Sequence, residues 1–176
     1  MQEQLMIIVN EQDEQIGLMP KMQTHELGIL HRAFSIFLFT EDGQMILQKR
    51  ATQKYHSPGL WTNACCSHPM QNETIEDAAK RRLQEELGIA IPLQYAFHFI
   101  YKANMGNGLT EHEFDHVFIG HFHHHIEFNT EEVAAIKIIS LPELEMDMEN
   151  NPNDYTVWFK IAYPQLKQWM NHSTNN

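Results

Sequence analysis

Apolar and polar positions along the chain fall into two alternations, one with the period of a strand and one with that of a helix. Met6–Asn10, Ala33–Thr40 and Met45–Arg50 are short apolar or alternating runs and predict strands. Glu41-Asp42-Gly43 separates the last two and predicts a hairpin turn. Pro58-Gly59 breaks the chain again ahead of Leu60-Trp61-Thr62. Over Thr74–Leu87 the spacing becomes helical: Ile75, Ala78, Ala79, Leu83 and Leu87 fall on one side. Thr74 is placed to cap that helix, Glu76 and Asp77 suit its positive end, and Gly88 supplies a stop. Tyr95–Tyr101, Glu113–Phe122 and Lys137–Ile139 read as further strands. A second helix is expected from Tyr155 to Met170, capped by Asn153 or Asp154 and kinked or split at Pro164. Strands, helix, strands, helix is the order of an α+β sandwich.

Composition narrows the functional classes. A chain of 176 residues, 43% of them hydrophobic, suits one domain with a real core. There is no internal repeat, and low complexity is confined to His121–His125 and the polar tail His172–Asn176. The longest apolar run, Ala33–Phe39, is far too short for a bilayer and is interrupted by Ser35. Met1–Asn10 has no basic residue before its apolar stretch, so it does not read as a secretory signal. A cytoplasmic protein with no membrane partner is expected. Its two cysteines, Cys65 and Cys66, are neighbours, a spacing that disfavours a bridge and suits free thiols in a reducing compartment. A net charge of -11 argues against a nucleic-acid partner while leaving room for a small anion where cations converge. Twelve histidines direct attention to metal or acid–base chemistry.

Four segments carry candidate chemistry. On a helix, Arg81/Glu85 and Arg82/Glu86 are i,i+4 pairs. They read either as surface ion pairs, worth about 0.2–0.5 kcal/mol each, or as a carboxylate pair for Mg²⁺. In the extended stretch Trp61–Pro69, Cys66 and His68 lie two apart and share a face. Taken singly, Cys66 reads as a small buried thiol beside a structural histidine. Glu111 and Glu113 also share a face, and taken singly they read as exposed carboxylates at a strand start. His25, His31 and His68 with these two glutamates form a donor set suited to a divalent metal of borderline softness. His121, His123 and His125 alternate too, but they run into the polar turn Asn129-Thr130-Glu131-Glu132 and fit an exposed strand face better than a metal site.

Ser67, five residues, Glu73, seven residues, Arg81, then Arg82-Leu83-Gln84-Glu85-Glu86-Leu87-Gly88-Ile89 resembles the Nudix box. Ser67 stands where that box has glycine, and Arg82 replaces a glutamate that holds the water-activating metals of Nudix hydrolases. Hydrolysis is thereby disfavoured, while Glu86 remains able to bind one Mg²⁺ with a diphosphate. The box is joined by Leu30-His31-Arg32-Ala33-Phe34-Ser35, by Tyr55-His56-Ser57-Pro58-Gly59-Leu60-Trp61-Thr62-Asn63 and by the Cys66-x-His68 that follows. With these, the chain from Met6 to Trp158 is similar to the type I isopentenyl-diphosphate isomerases.

The resemblance implies a Nudix-type α/β/α sandwich with a mixed central sheet, its core over residues 29–163 of a single domain spanning 1–176. It implies a 1,3-allylic proton shift on a small-molecule diphosphate. Cys66 and Glu113 would be the acid and base, with Tyr101 hydrogen-bonded to Glu113. His25, His31, His68, Glu111 and Glu113 would hold a divalent metal (Zn²⁺, Mn²⁺ or Mg²⁺), and Glu86 a Mg²⁺ ion bound with the diphosphate. Lys21, Arg50, Lys54 and Arg82 would grip the diphosphate, though each alone reads as a surface cation. Trp158 would face a carbocation, with Trp61 a weaker contender. Two rivals stay open: a Nudix hydrolase of nucleoside or sugar diphosphates, and a non-catalytic metal-binding protein built on His121–His125. Oligomeric state is not legible.

Overall fold

A computed structural model describes residues 4–54 and 56–173. Met1–Glu3 at the start of the segment read for a leader, Tyr55 of the flanking motif and Thr174–Asn176 of the tail lie outside the described residues.

Strand β3 (His31–Phe39) is the spine of a mixed nine-stranded sheet. Phe37 and Phe39 enter one core cluster, while Phe34, Ile36 and Leu38 enter a second on the opposite face. Burial on both faces is why this segment reads as a continuous apolar run. Along one edge of β3 lies β8 (Leu109–His121), parallel, from His31 opposite Glu113 to Phe39 opposite His121. The other edge is shared in turn by β1 (Leu5–Val9), β6 (Cys65–Ser67) and β4 (Met45–Arg50), all antiparallel. β2 (Gln15–Pro20) borders β1. β5 (Trp61–Thr62) and β9 (Val133–Ile139) flank β4, and β7 (Gln94–Gly106) forms a hairpin with β8.

Helix α2 (Ile75–Leu87) covers the second cluster with Ala78, Ala79, Leu83 and Leu87, and burying each leucine stabilises the fold by about 2 kcal/mol. The Thr74 hydroxyl accepts the Asp77 N–H at 3.1 Å, and Gly88 ends the helix at φ 66°. A Cβ on Gly88 would stand 2.8 Å from the Glu127 carbonyl oxygen, so glycine is required for close approach as well as for its backbone angle. Helix α4 (Val157–Ser173) covers the first cluster with Trp158, Phe159, Ala162, Tyr163 and Leu166. Helices on the two faces make the α+β sandwich. Among the described residues, no helix is long and apolar enough to cross a membrane.

The structure departs from the sequence reading at several points. The last helix is not capped by Asn153 or Asp154, because residues Pro152–Asp154 form a separate 3-10 turn and Tyr155 bridges to Trp61. Thr156 instead accepts the Phe159 N–H at 3.3 Å, and Pro164 is carried inside α4 without splitting it. β7, β8 and β9 are longer than expected, with Asn107 and Gly108, both at positive φ, turning β7 into β8. β2, α1 (Lys21–Leu27) and α3 (Leu141–Asn150) were not foreseen. His121 ends β8, and His123 and His125 lie beyond it in exposed, irregular chain, so the three do not share a strand face.

Candidate active site

Glu113 is buried rather than an exposed carboxylate, and so is Glu111. The Arg81–Glu85 pair lies at the surface, whereas Arg82 and Glu86 turn inward together, so Glu85 does not join Glu86 as a metal-facing pair. Arg81 is held chiefly by Glu73, at 2.7 and 2.9 Å.

An open cleft of about 650 Å³ gathers the candidate residues. Lys21, Arg50, Lys54, Cys66, His68, Arg82, Glu86, Tyr101, Glu111, Glu113 and Trp158 line it. His25 and His31 are buried against it, with ring centroids 6.1 and 5.1 Å from that of His68. Every element contributes by register. α1 sets Lys21 and His25 one turn apart, on the same side. β7 and β8 place Tyr101 opposite Glu113 and Ala103 opposite Glu111. β3 separates Cys66, paired with Ser35 on one edge, from Glu113, paired with His31 on the other.

The electrostatics at the His/Glu end are those of a charge-deficient pocket. Ligand atoms of His25, His31 and His68 all lie within 4.8 Å of one another. Burial, reinforced by neighbouring histidines, lowers His25 to about 3, and burial lowers His68 to about 4, so both imidazoles are neutral at pH 7. His31 Nδ1 donates to the Ile29 carbonyl at 2.9 Å, which orients the ring, and its Nε2 lies 3.6 Å from a Glu113 oxygen. Burial and the Glu113 charge push Glu111 up to about 8. Burial acts on Glu113 too, but the imidazoles of His31 and His68 outweigh it and hold that carboxyl well below its ordinary range. Tyr101 bridges the two carboxyls, 2.7 Å from Glu113 and 2.9 Å from Glu111. This donor set, neutral imidazoles with paired carboxyls, fits a divalent metal.

At the other end, burial and the nearby Asp115 carboxyl push the Cys66 thiol up to about 12, so it carries its proton at neutral pH. Its sulfur donates to Asn63 Oδ1 at 3.0 Å. Arg50 lies over the Trp158 ring, 5.1 Å from the centroid, so Trp158 is at once buried and facing the cleft. Trp61 does not line the cleft; its ring carries Lys137 at 4.3 Å instead. Glu86 accepts from Arg82 at 2.6 Å and from Gln48 at 2.9 Å.

Sequence reasoning missed Gln48, His56 and Glu132, all of which line the cleft. Gln48 carried a signal, as a buried polar residue directly after the apolar Met45–Leu47. Glu132 read as part of a polar turn, yet it pairs with Lys54 and approaches Arg82 at 3.6 Å. Among the described residues, the only cluster of histidines and acids arranged to hold a metal is His25, His31 and His68, not the His121–His125 stretch.

The NUDIX domain family matches residues 29–159. Isopentenyl-diphosphate Delta-isomerase 2 of Photorhabdus laumondii is 45% identical over 172 residues, 95% of this chain and 97% of that protein. Isopentenyl-diphosphate Delta-isomerase of Burkholderia multivorans is 43% identical over 172 residues, 95% and 98%. Among solved structures, DR0079 from Deinococcus radiodurans aligns with TM-score 0.70 at 19% identity, over 84% of this chain and 90% of that one. The MutT protein from Methanosarcina mazei Go1 aligns with TM-score 0.64 at 15% identity, over 79% and 94%. At such identities these two structures speak to the fold alone.

Proposed function

The chain belongs to the isopentenyl-diphosphate Delta-isomerases of the NUDIX family, and from that premise we propose how its cleft carries the reaction. The protein converts isopentenyl diphosphate to dimethylallyl diphosphate, adding a proton to one alkene carbon and removing another from the allylic position. Such a shift needs an acid and a base on either side of a flat C5 unit. Cys66 and Glu113 fill these roles, approaching from opposite edges of β3. The observation that carries this reading is the buried Tyr101–Glu113 contact at 2.7 Å in the same cleft as the protonated Cys66 thiol.

Tyr101 orients Glu113 and tempers its basicity. Trp158, buried and facing the cleft, offers its π face to positive charge developing at the tertiary carbon and excludes water from it. Lys21, Arg50, Lys54 and Arg82 converge on the cleft despite the acidic total, and they grip the diphosphate. His25, His31, His68, Glu111 and Glu113 would hold a divalent metal, Zn²⁺, Mn²⁺ or Mg²⁺, and Glu86 a Mg²⁺ ion shared with the diphosphate. Bound ions supply fixed positive charge, which orients the carboxylates and neutralises the substrate's phosphates. Replacement of the box glutamate by Arg82, a cation with no lone pair to offer a metal, weighs against the hydrolase reading.

The test is direct. Purified protein given isopentenyl diphosphate and Mg²⁺ forms dimethylallyl diphosphate, whereas Cys66→Ala, with unchanged fold and metal content, forms none. Near-normal turnover by that variant sinks the mechanism.

A further inference from the structure

Asn63 sits at the corner between β5 and β6, fully buried, and its amide is saturated. Nδ2 donates to the carbonyl oxygens of Ile36 at 3.1 Å and Cys65 at 2.9 Å. Oδ1 accepts the Thr62 hydroxyl at 2.9 Å and the Cys66 thiol at 3.0 Å. Carbonyl oxygens only accept, so a flipped amide would set oxygen against two oxygens. The neighbours therefore dictate that Oδ1 faces the thiol.

The bonds continue away from the cleft. Thr62 Oγ1, its hydrogen already given to Asn63, accepts from the Thr156 hydroxyl at 3.1 Å. Thr156 in turn accepts the Phe159 N–H at 3.3 Å in the first turn of α4, the turn that carries Trp158. Thr62, Asn63 and Thr156 are all buried and line no part of the cleft; only Cys66, at the end of this chain of bonds, does.

We infer that Asn63 is a positioning residue for the isomerisation, fixing the direction of the Cys66 side chain and holding its S–H hydrogen between turnovers. Through Thr62 and Thr156 the same amide keeps the thiol in register with Trp158. An asparagine needed only to tie the β5–β6 corner would be satisfied by its two Nδ2 bonds. The Oδ1 contact with a cleft-facing thiol is the feature that such a role leaves unexplained. This inference rests on the assignment of Cys66 as an acid–base residue.

The experiment compares Asn63→Ala, Thr62→Val, Thr62→Ser and Cys66→Ala as full-length proteins with Mg²⁺. It measures kcat and KM for isopentenyl diphosphate, the iodoacetamide labelling rate at Cys66 located by mass spectrometry, and the circular-dichroism melt. Asn63→Ala is expected to lower kcat about tenfold or more with KM within about twofold, and to change the labelling rate by about threefold or more. Thr62→Val is expected to lose roughly three- to tenfold in kcat, restored by Thr62→Ser. A folded Asn63→Ala protein with kcat within twofold of the parent, or with unchanged labelling, overturns the inference. Where Asn63→Ala does not fold, Thr62→Val decides, and parental kcat in that variant overturns it equally. Turnover by Cys66→Ala brings down the Cys66 assignment itself, an outcome distinct from an inert Cys66→Ala beside an unaffected Asn63→Ala.

Discussion

Replacing Tyr101 by phenylalanine removes one oxygen from the most constrained part of the site. The ring is retained, stacked on Phe99 with centroids 5.7 Å apart, so no cavity opens in the first core cluster. What is lost is the hydroxyl that stands 2.7 Å from Glu113 and 2.9 Å from Glu111. A phenol has a single hydrogen, so it serves two carboxyls only because Glu111, pushed up to about 8, keeps its own proton at neutral pH before any ion binds. A hydrogen bond to a charged group contributes about 1.5–3 kcal/mol, and each ~1.4 kcal/mol is a factor of ten in rate. Tyr101→Phe is therefore expected to lower kcat by roughly tenfold to 150-fold. KM is expected to change little, since the cations assigned to the diphosphate are untouched. Steady-state kinetics on isopentenyl diphosphate measures both, and urea denaturation of the same variant should show a loss of about 1–3 kcal/mol. A kcat within twofold of the parent would refute the placing of Glu113 under Tyr101 control.

Two further outcomes are expected. Burial, with Arg50 and Lys21 nearby, lowers His56 to about 3 from an ordinary 6.5, so between those values the unfolded chain holds a proton that the fold does not. Its contribution to stability is thus complete above pH 6.5 and is lost as pH falls toward 3. In metal-free protein, His56→Asn should flatten the acid-side decline by about 1.4 kcal/mol per pH unit, measured by urea denaturation at pH 6, 5 and 4, and identical slopes would rule this out. Gly88→Ala forces a Cβ to within 2.8 Å of the Glu127 carbonyl at φ 66° and should cost about 2 kcal/mol or more in the same assay. Because the Asn129 N–H bonds to the Glu86 carbonyl at 2.8 Å just beside that contact, the Mg²⁺ dependence of turnover should weaken with it. An Mg²⁺ titration superimposable on the parent's would refute that link.

The elements legible in the sequence were those whose information is local. Helix α2 carried its own cap, its apolar stripe and its stop, and the structure keeps all three. α3 has an equally local signature, a Ser140/Glu143 capping box with Pro142 in the first turn. α1 is different: at seven residues it is too short for helical periodicity to show, and only Pro20 before it and Gly28 after it mark its ends. The start of α4 was misplaced because Asn153 and Asp154 look like caps, whereas the tertiary bridge from Tyr155 to Trp61 holds the chain extended until Thr156.

The site was legible as a list of residue types and not as a place. Cys66 and Glu113 each looked unremarkable alone, one a small thiol and the other a carboxylate near a strand end. What sets them against a common cleft is that β3 accepts β6 on one edge and β8 on the other. No local pattern says which edge a strand will take, since either choice satisfies the same backbone groups. The register decides the rest: sliding β8 by one residue against β3 would turn Glu111 and Glu113 away from Tyr101 and carry His112 into their place. That register is held by the apolar face that alternates with the acidic one, where Phe114 joins Ile7 and Val9 and Phe118 joins Phe34 and Ile36. The costly burial of two carboxyls is thus enforced by apolar residues of the same strand, one position out of phase. A polar substitution at Phe118 should therefore disturb acid–base chemistry on the opposite face of the sheet, through register rather than contact. Hydrogen exchange along β8, read beside kcat, separates that route from simple unfolding: loss of rate with protection intact at every β8 amide would refute it.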